Sequence, residues 1–259
     1  MILAEKLQEY DFISHVASDI ATDELFLPTE NTCMQKYLNN VSDWTNKNLM
    51  LLNEDKSKFV LFTRSKSAFT TRLFLNELPI EKITATKLLG VWLQEDLGWQ
   101  QNTRNICKNA YSRMSILGKL KYVGVNTDDL LTIYKLFIRC IPEYCSIVFH
   151  SSLTQDQSHK IERIQANSLK IILDDNYVSY EAALEMCNLE TLSERREKRQ
   201  LSFSQKCLEN PFTKSMFPTN EENKKKKFVV NFARTEHYKK SAIPQCQRAL
   251  NKHFDSRSS

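Results

Sequence analysis

Glycine is nearly absent: four residues in a chain of 259. None cluster, so the chain holds no G-x-G-x-x-G and no G-x-x-x-x-G-K-[ST]. The backbone loops that cradle nucleotide phosphates in those folds are excluded. No G-x-S-x-G occurs, and His15, His150, His159, His237 and His253 stand near no nucleophile pattern, which leaves acyl transfer without its parts. Seven cysteines are scattered, with no C-x-x-C pair and no histidine at ligand spacing. That argues against a zinc site and for a reducing, intracellular compartment, nuclear or cytoplasmic. A long uninterrupted apolar run is also missing. Leu130 to Phe149 is the longest, and Lys135, Arg139, Pro142 and Glu143 break it, so it predicts a buried helix and no membrane span. His150, at the end of that helix, reads as a capping or core group. No basic and apolar leader follows Met1, so no signal peptide is expected.

Two of the glycines sit in T-K-L-L-G-V-W-L-Q-E-D-L-G-W, Thr86 to Trp99. Gly90 interrupts an apolar run that reads as a strand, which marks a bulge, a bend or a close backbone approach. Two Asp-Asp pairs are present. Asp128-Asp129 follows Thr127 at a predicted helix start, where acids oppose the helix dipole. Asp174-Asp175 follows a helix at a turn. Neither has the hairpin setting that a two-metal polymerase pair requires.

What is present is an ordinary globular composition, 41% hydrophobic and 26% charged, with charge gathered at one end. Residues 221–259 carry ten Lys/Arg against four acids, so the remaining 220 residues are slightly acidic. A basic tail suits a polyanion or simply a solvated end. Helical spacing of Tyr37, Leu38, Val41 and Trp44 predicts a helix starting near Asn31 or Thr32. Lys58 to Thr63, Thr71 to Asn76 and the run around Gly90 read as strands of one small antiparallel sheet, with a turn at Asn76-Glu77-Leu78-Pro79. Helices follow over Asn102 to Val123, with Gly124 as its cap, then from Thr127, from Thr154 to about Leu173, Tyr180 to Cys187, and Leu192 to Leu208. Pro142 predicts a kink. The fold class is α+β: a small antiparallel hairpin sheet, a helical bundle and a basic tail.

Several blocks, in order, resemble one family. W-T-N-K-N-L-M-L-L-N-E-D-K-S-K-F-V-L-F (Trp44 to Phe62) is similar to the segment after the catalytic hairpin of jockey-type animal non-LTR retrotransposon reverse transcriptases. Thr86 to Trp99 resembles the family's primer-grip hairpin. Ala110 to Leu120, Leu136 to Thr154 and Ile161 to Gln165 resemble its helical thumb, and Val230 to Asn251 resembles the end of its reading frame. The likeness covers nearly the whole chain and implies three parts: a palm remnant with primer grip over 1–99, a thumb over 100–210, and a linker with basic tail over 211–259. It implies a parent that is an RNA-directed DNA polymerase using Mg²⁺. Primer–template RNA or DNA contacts would then come from Lys56, Lys58, Lys87 and Gly90, from Arg113, Lys119 and Lys121, and from Lys224, Lys225, Lys226 and Lys227. Lys56 and Lys58 are equally read as flanks of a strand, and Gly90 as an unliganded bulge.

The family's aromatic-x-Asp-Asp hairpin and its upstream aspartate lie N-terminal to the first matching block. The expectation is therefore a catalytically incomplete remnant with no catalytic residue, no metal ligand and no cofactor of its own. A helical protein-interaction module that binds no nucleic acid, and the C-terminal piece of a working polymerase, remain as alternatives. The truncated palm edge suits a covering protein partner.

Overall fold

A computed structural model describes residues 34–53, 56–62, 72–219, 227–232 and 235–255. Lys224, Lys225 and Lys226 lie outside the described residues. The chain is α+β and mainly helical, and it divides into two compact units, Met1–Gly98 and Trp99–Ser259. Trp99 falls in the second because its ring packs on Phe149, 5.9 Å between centroids.

The first unit holds α1 (Met34–Lys47), β1 (Lys58–Phe59), β2 (Phe74–Leu75), β3 (Leu78–Pro79), β4 (Glu81–Lys82), β5 (Ala85–Leu88) and β6 (Val91–Gln94). The expected single antiparallel sheet is instead three separate two-stranded pairs, and one of them, β1 with β4, is parallel. The turn after β2 is tighter than expected. Asn76 and Glu77 both have positive φ, the geometry of a two-residue hairpin, so Leu78 and Pro79 already belong to the return strand. Pro79 is tolerated there because the pair is only two residues long. Gly90 is likewise not inside a strand. Leu89 (φ +45°) and Gly90 (φ +88°) form the two-residue turn joining β5 to β6. Both positions demand positive φ, which is why glycine stands at the second. The α1 helix holds the β2 backbone through one amide: Gln35 Nε2 donates to the Phe74 carbonyl, and Gln35 Oε1 accepts from the Phe74 N–H, each at 2.8 Å.

The second unit begins with α2 (Gln100–Tyr122). It ends in a Schellman motif, with Val125 N donating to Leu120 O, Gly124 N to Lys121 O, and Gly124 at φ +84°. Next come α3 (Thr127–Ile133), capped by Asn126, a π-helical turn over Tyr134–Ile138, α4 (Cys140–Glu143) and α5 (Ser146–Phe149). The kink expected from Pro142 takes this distributed form. Its ring cannot sit against the carbonyl of a regular preceding turn, so the helix widens before it and breaks after it, at left-handed Cys145. The α6 helix (Gln155–Leu173) opens with the predicted capping box of Thr154 and Gln157. Then follow α7 (Tyr180–Met186) and α8 (Leu192–Glu209), which opens with a second box, Thr191 and Glu194. The apolar faces of α2 (Ile106, Ala110, Met114, Leu117) and α6 (Ile161, Ile164, Leu169, Ile172) meet over Leu130, Tyr134, Ile138 and Phe149.

The stretch expected as linker and free basic tail is largely folded. Short α9 (Pro211–Lys214) and α10 (Glu236–Lys239) precede α11 (Ala242–Asp255), which packs on α8. Phe217, Phe228, Cys246 and Leu250 bury with Cys207 as a second apolar cluster. Two amides one turn apart on α11 hold the preceding chain. Asn251 exchanges both hydrogen bonds with the Phe228 backbone, and Gln247 bonds Met216 O and Asn231 N.

Candidate nucleic-acid interface

The basic residues singled out in the sequence divide into those with protein partners and those facing solvent. Lys58 forms an ion pair with Glu81 on the neighbouring strand. Arg113 Nη1 donates to the Phe137 carbonyl at 2.9 Å. Lys121 Nζ donates to the Ile172 carbonyl at 3.1 Å, near the α6 C-terminus, where a cation meets the negative end of the helix dipole. Lys227 lies over the Phe254 ring, 4.4 Å from its centroid. These four join parts of the fold together. Lys56, Lys87 and Lys119 are exposed, and Lys87 lies opposite Trp92 in the β5–β6 register. Lys56 and Lys87 belong to the first unit and Lys119 to the second.

Around Lys119 the helix repeat brings further residues that the sequence pass left aside. Arg104, Lys108, Tyr111, Ser115, Lys119 and Tyr122 recur at steps of three and four along α2, and all six are exposed. They lie opposite the face that carries Ile106, Ala110, Met114 and Leu117 into the core. Within Gln100–Tyr122 there are five Lys/Arg and no Asp or Glu. The α6 helix runs alongside: Cys107 Sγ lies 3.8 Å from the Lys160 carbonyl, and Asn167 Nδ2 donates to the Tyr111 hydroxyl at 3.3 Å. Its exposed face adds Lys160, Arg163 and Lys170. Asp156 is bonded to Lys160 at 2.6 Å, Lys170 lies over the Tyr177 ring, 5.3 Å from its centroid, and the exposed Asp174 and Asp175 follow at the end of α6. The signal was present in the sequence as a helix empty of acid, but a charge sum over residues 1–220 as one block conceals it.

The interior of the second unit holds charge that sequence reasoning missed entirely. Glu143 is 4% exposed and ion-paired with Arg139, Arg195 and Arg199. Arg196 is fully buried; its Nε donates to His150 Nδ1 at 3.2 Å, and its Nη1 finds no hydrogen-bond partner among the described residues. Burial, and then the neighbouring Arg196 charge, push the His150 pKa down to about 4, so the ring is neutral and accepts from Arg196. A second chain of bonds runs from the Tyr134 hydroxyl to Gln165 (2.6 Å), from Gln165 to Tyr180 (2.9 Å), and from Tyr180 to Glu162. Burial raises the pKa of both tyrosines, so both remain hydroxyl donors at neutral pH. Glu162 also accepts from the N–H groups of Leu192 and Ser193, placing a carboxylate at the α8 N-terminus. These groups fix helix positions and, the half-exposed Arg199 apart, expose little to a ligand.

Asp128 and Asp129 stand in the first turn of α3, where Asn126 accepts from the Asp129 N–H, and Asp174-Asp175 form a 3₁₀ turn after α6. No three His, Cys, Asp or Glu side chains converge to hold a metal ion among the described residues. They do not supply the donor set that Mg²⁺-dependent phosphoryl transfer needs. No helix of the described residues is long and apolar enough to cross a membrane. Comparison with protein-family models, curated proteins and solved structures finds no match to this chain.

Proposed function

We propose that this chain binds the sugar–phosphate backbone of nucleic acid through the α2–α6 face, as a relative of jockey-type non-LTR retrotransposon reverse transcriptases. The observation that carries the binding is the charge of that face. Arg104, Lys108, Lys119, Lys160, Arg163 and Lys170 are exposed there, with Asp156 paired to Lys160 at one end and Asp174 and Asp175 following Lys170 at the other, so the cations outnumber the acids. A net-positive surface is costly in self-repulsion, and a polyanion relieves it. Arg104 to Lys119 spans about 22 Å of helix, and duplex DNA carries about one charge per 1.7 Å, so the stripe is long enough to meet several phosphates. Tyr111 and Tyr122 interleave aromatic rings on which a base or sugar can rest. The kinship rests on the ordered blocks of resemblance.

The test measures affinity for a fluorescent primer–template as a function of salt, comparing the native chain with the triple substitution Arg104→Gln, Lys108→Gln, Lys119→Gln. The native chain weakens steeply between about 50 and 200 mM salt, and the triple variant loses about two to three units of the log–log salt slope. Arg113→Gln and Lys121→Gln, whose side chains are occupied by carbonyls, leave that slope within about half a unit. Binding that is indifferent to salt, or unchanged in the triple variant, refutes the reading.

A further inference from the structure

We propose that the outer face of the α3–α5 segment is a docking site for an amphipathic helix with an acidic flank, contributed by a partner protein. Leu136 is 64% exposed, Phe137 57%, Tyr144 55% and Val148 45%. One such residue on a surface is ordinary; several in a run of 13, with no exposed acid among them, form a patch. The π turn is the local cause. Tyr134 and Ile138 both point into the core, and in a regular helix Phe137, three residues after Tyr134, would share that inward face. The widened turn rotates Phe137 outward beside Leu136.

Two neighbouring helices extend the patch. Arg113 of α2 bonds the Phe137 carbonyl, and Ile116, on the same side one turn later, is 49% exposed. Arg199 of α8 bonds the Glu143 carbonyl, and Phe203, one turn later, is 43% exposed. The apolar surface therefore spans three helical elements, as a groove for a helix with anchors at i, i+3, i+4 and i+7 must.

The charge around it selects the occupant. The exposed Arg113 and Arg199 border this face, and the nearby carboxylate, Glu143, is buried and shared by Arg199 with Arg139 and Arg195. A second copy of the chain would bring arginines against arginines across a two-fold interface. A helix with Glu or Asp beside its apolar stripe would neutralise them.

The full chain is titrated into a fluorescein-labelled peptide of about five helical turns, with Leu at the anchor spacing and Glu on both flanks. The counter-probe carries Lys in place of Glu. The Glu peptide binds and the Lys peptide does not. Leu136→Asp and Phe137→Asp each weaken binding by about tenfold or more, with the thermal unfolding of the chain unchanged because both side chains are exposed. Equal binding of the two peptides, or binding that survives Phe137→Asp, overturns the proposal. So does a dimer of the chain, seen by light scattering, that Phe137→Asp dissociates, and so does a nucleic acid that displaces the peptide from Leu136 and Phe137.

Discussion

The unit up to Gly98 and the unit from Trp99 solve burial differently. The first holds three strand pairs and buries Leu73, Leu75 and Val91 among its described apolar residues. The second buries 22 apolar side chains among its described residues, in two clusters. A helix closes its hydrogen bonds within itself and needs a partner for one face. A strand needs a partner for its backbone as well, and a two-residue pair leaves most of that backbone without a ladder. The helical unit accordingly carries features that are expensive to bury. A carboxylate held by three arginines and a fully buried arginine both lie inside it.

The sharpest way to break that contrast is at Glu143. Glu143→Gln removes the buried carboxylate and leaves the mostly buried Arg139 and Arg195 and the half-exposed Arg199 without it. The expected loss is about 3–5 kcal/mol of unfolding free energy, the usual cost of removing one partner from a buried charge cluster. Urea unfolding followed by far-ultraviolet circular dichroism measures it. A loss under about 1 kcal/mol would mean that water reaches the cluster.

The next test compares the two interiors directly. Ile164 is fully exposed to core neighbours and not to solvent, so Ile164→Ala should cost about 2–5 kcal/mol of helical stability. Val91→Ala, in the strand unit, should shift the same helical transition by less than about 0.5 kcal/mol. Equal shifts would show that the two units unfold as one.

The pH test follows from His150, whose folded pKa of about 4 lies below the ordinary value for histidine. The unfolded chain takes up a proton near the ordinary value, and the folded chain resists until about 4. Stability is therefore complete above the ordinary pKa, falls as pH drops toward 4, and loses no more to this group below that. The groups facing the ring include Arg196, which disfavours the charge further. Thermal unfolding from pH 7 to pH 4 shows the slope, and His150→Gln should flatten it. An unchanged slope would assign it to the carboxylates instead.

How much of this was legible depends on where each interaction closes. The α6 and α8 helices could be bounded closely because their stop and start signals are local: Thr154 with Gln157, and a helical run from Leu192. The strands could not. Lys58 to Thr63 reads as six strand residues; Thr63 lies outside the described residues, and among the others ladder pairing forms at Lys58 and Phe59 alone, because the partner, Glu81 and Lys82, is 23 residues away and parallel. The C-terminal region was read by its charge, which hid Cys246, Leu250 and Phe254 at steps of four on one face of α11. Of the expected contact residues, Lys119 lies on the acid-free face, while Arg113 and Lys121 point to carbonyls. Residue type announces charge, and only the helix phase says where the charge points.

The smallest effect tests the strand unit on its own terms. Leu89 stands at the first position of the β5–β6 turn with φ +45°, where a Cβ crowds the following carbonyl. Its side chain is 70% exposed, so little burial compensates. Asparagine tolerates this conformation and precedes glycine in the favoured two-residue turn. Leu89→Asn should therefore stabilise the hairpin by somewhat less than about 1 kcal/mol. Hydrogen exchange of the Glu95 amide reads it, because that N–H donates to the Thr84 carbonyl at 2.8 Å and reports opening of the pair. Exchange should slow by a few fold while the helical transition stays fixed. If the helical transition rises as well, the turn is coupled to the second unit and the two stabilities are not independent. If exchange does not slow, the hairpin opens by separation of its ends, and the turn is not what limits it.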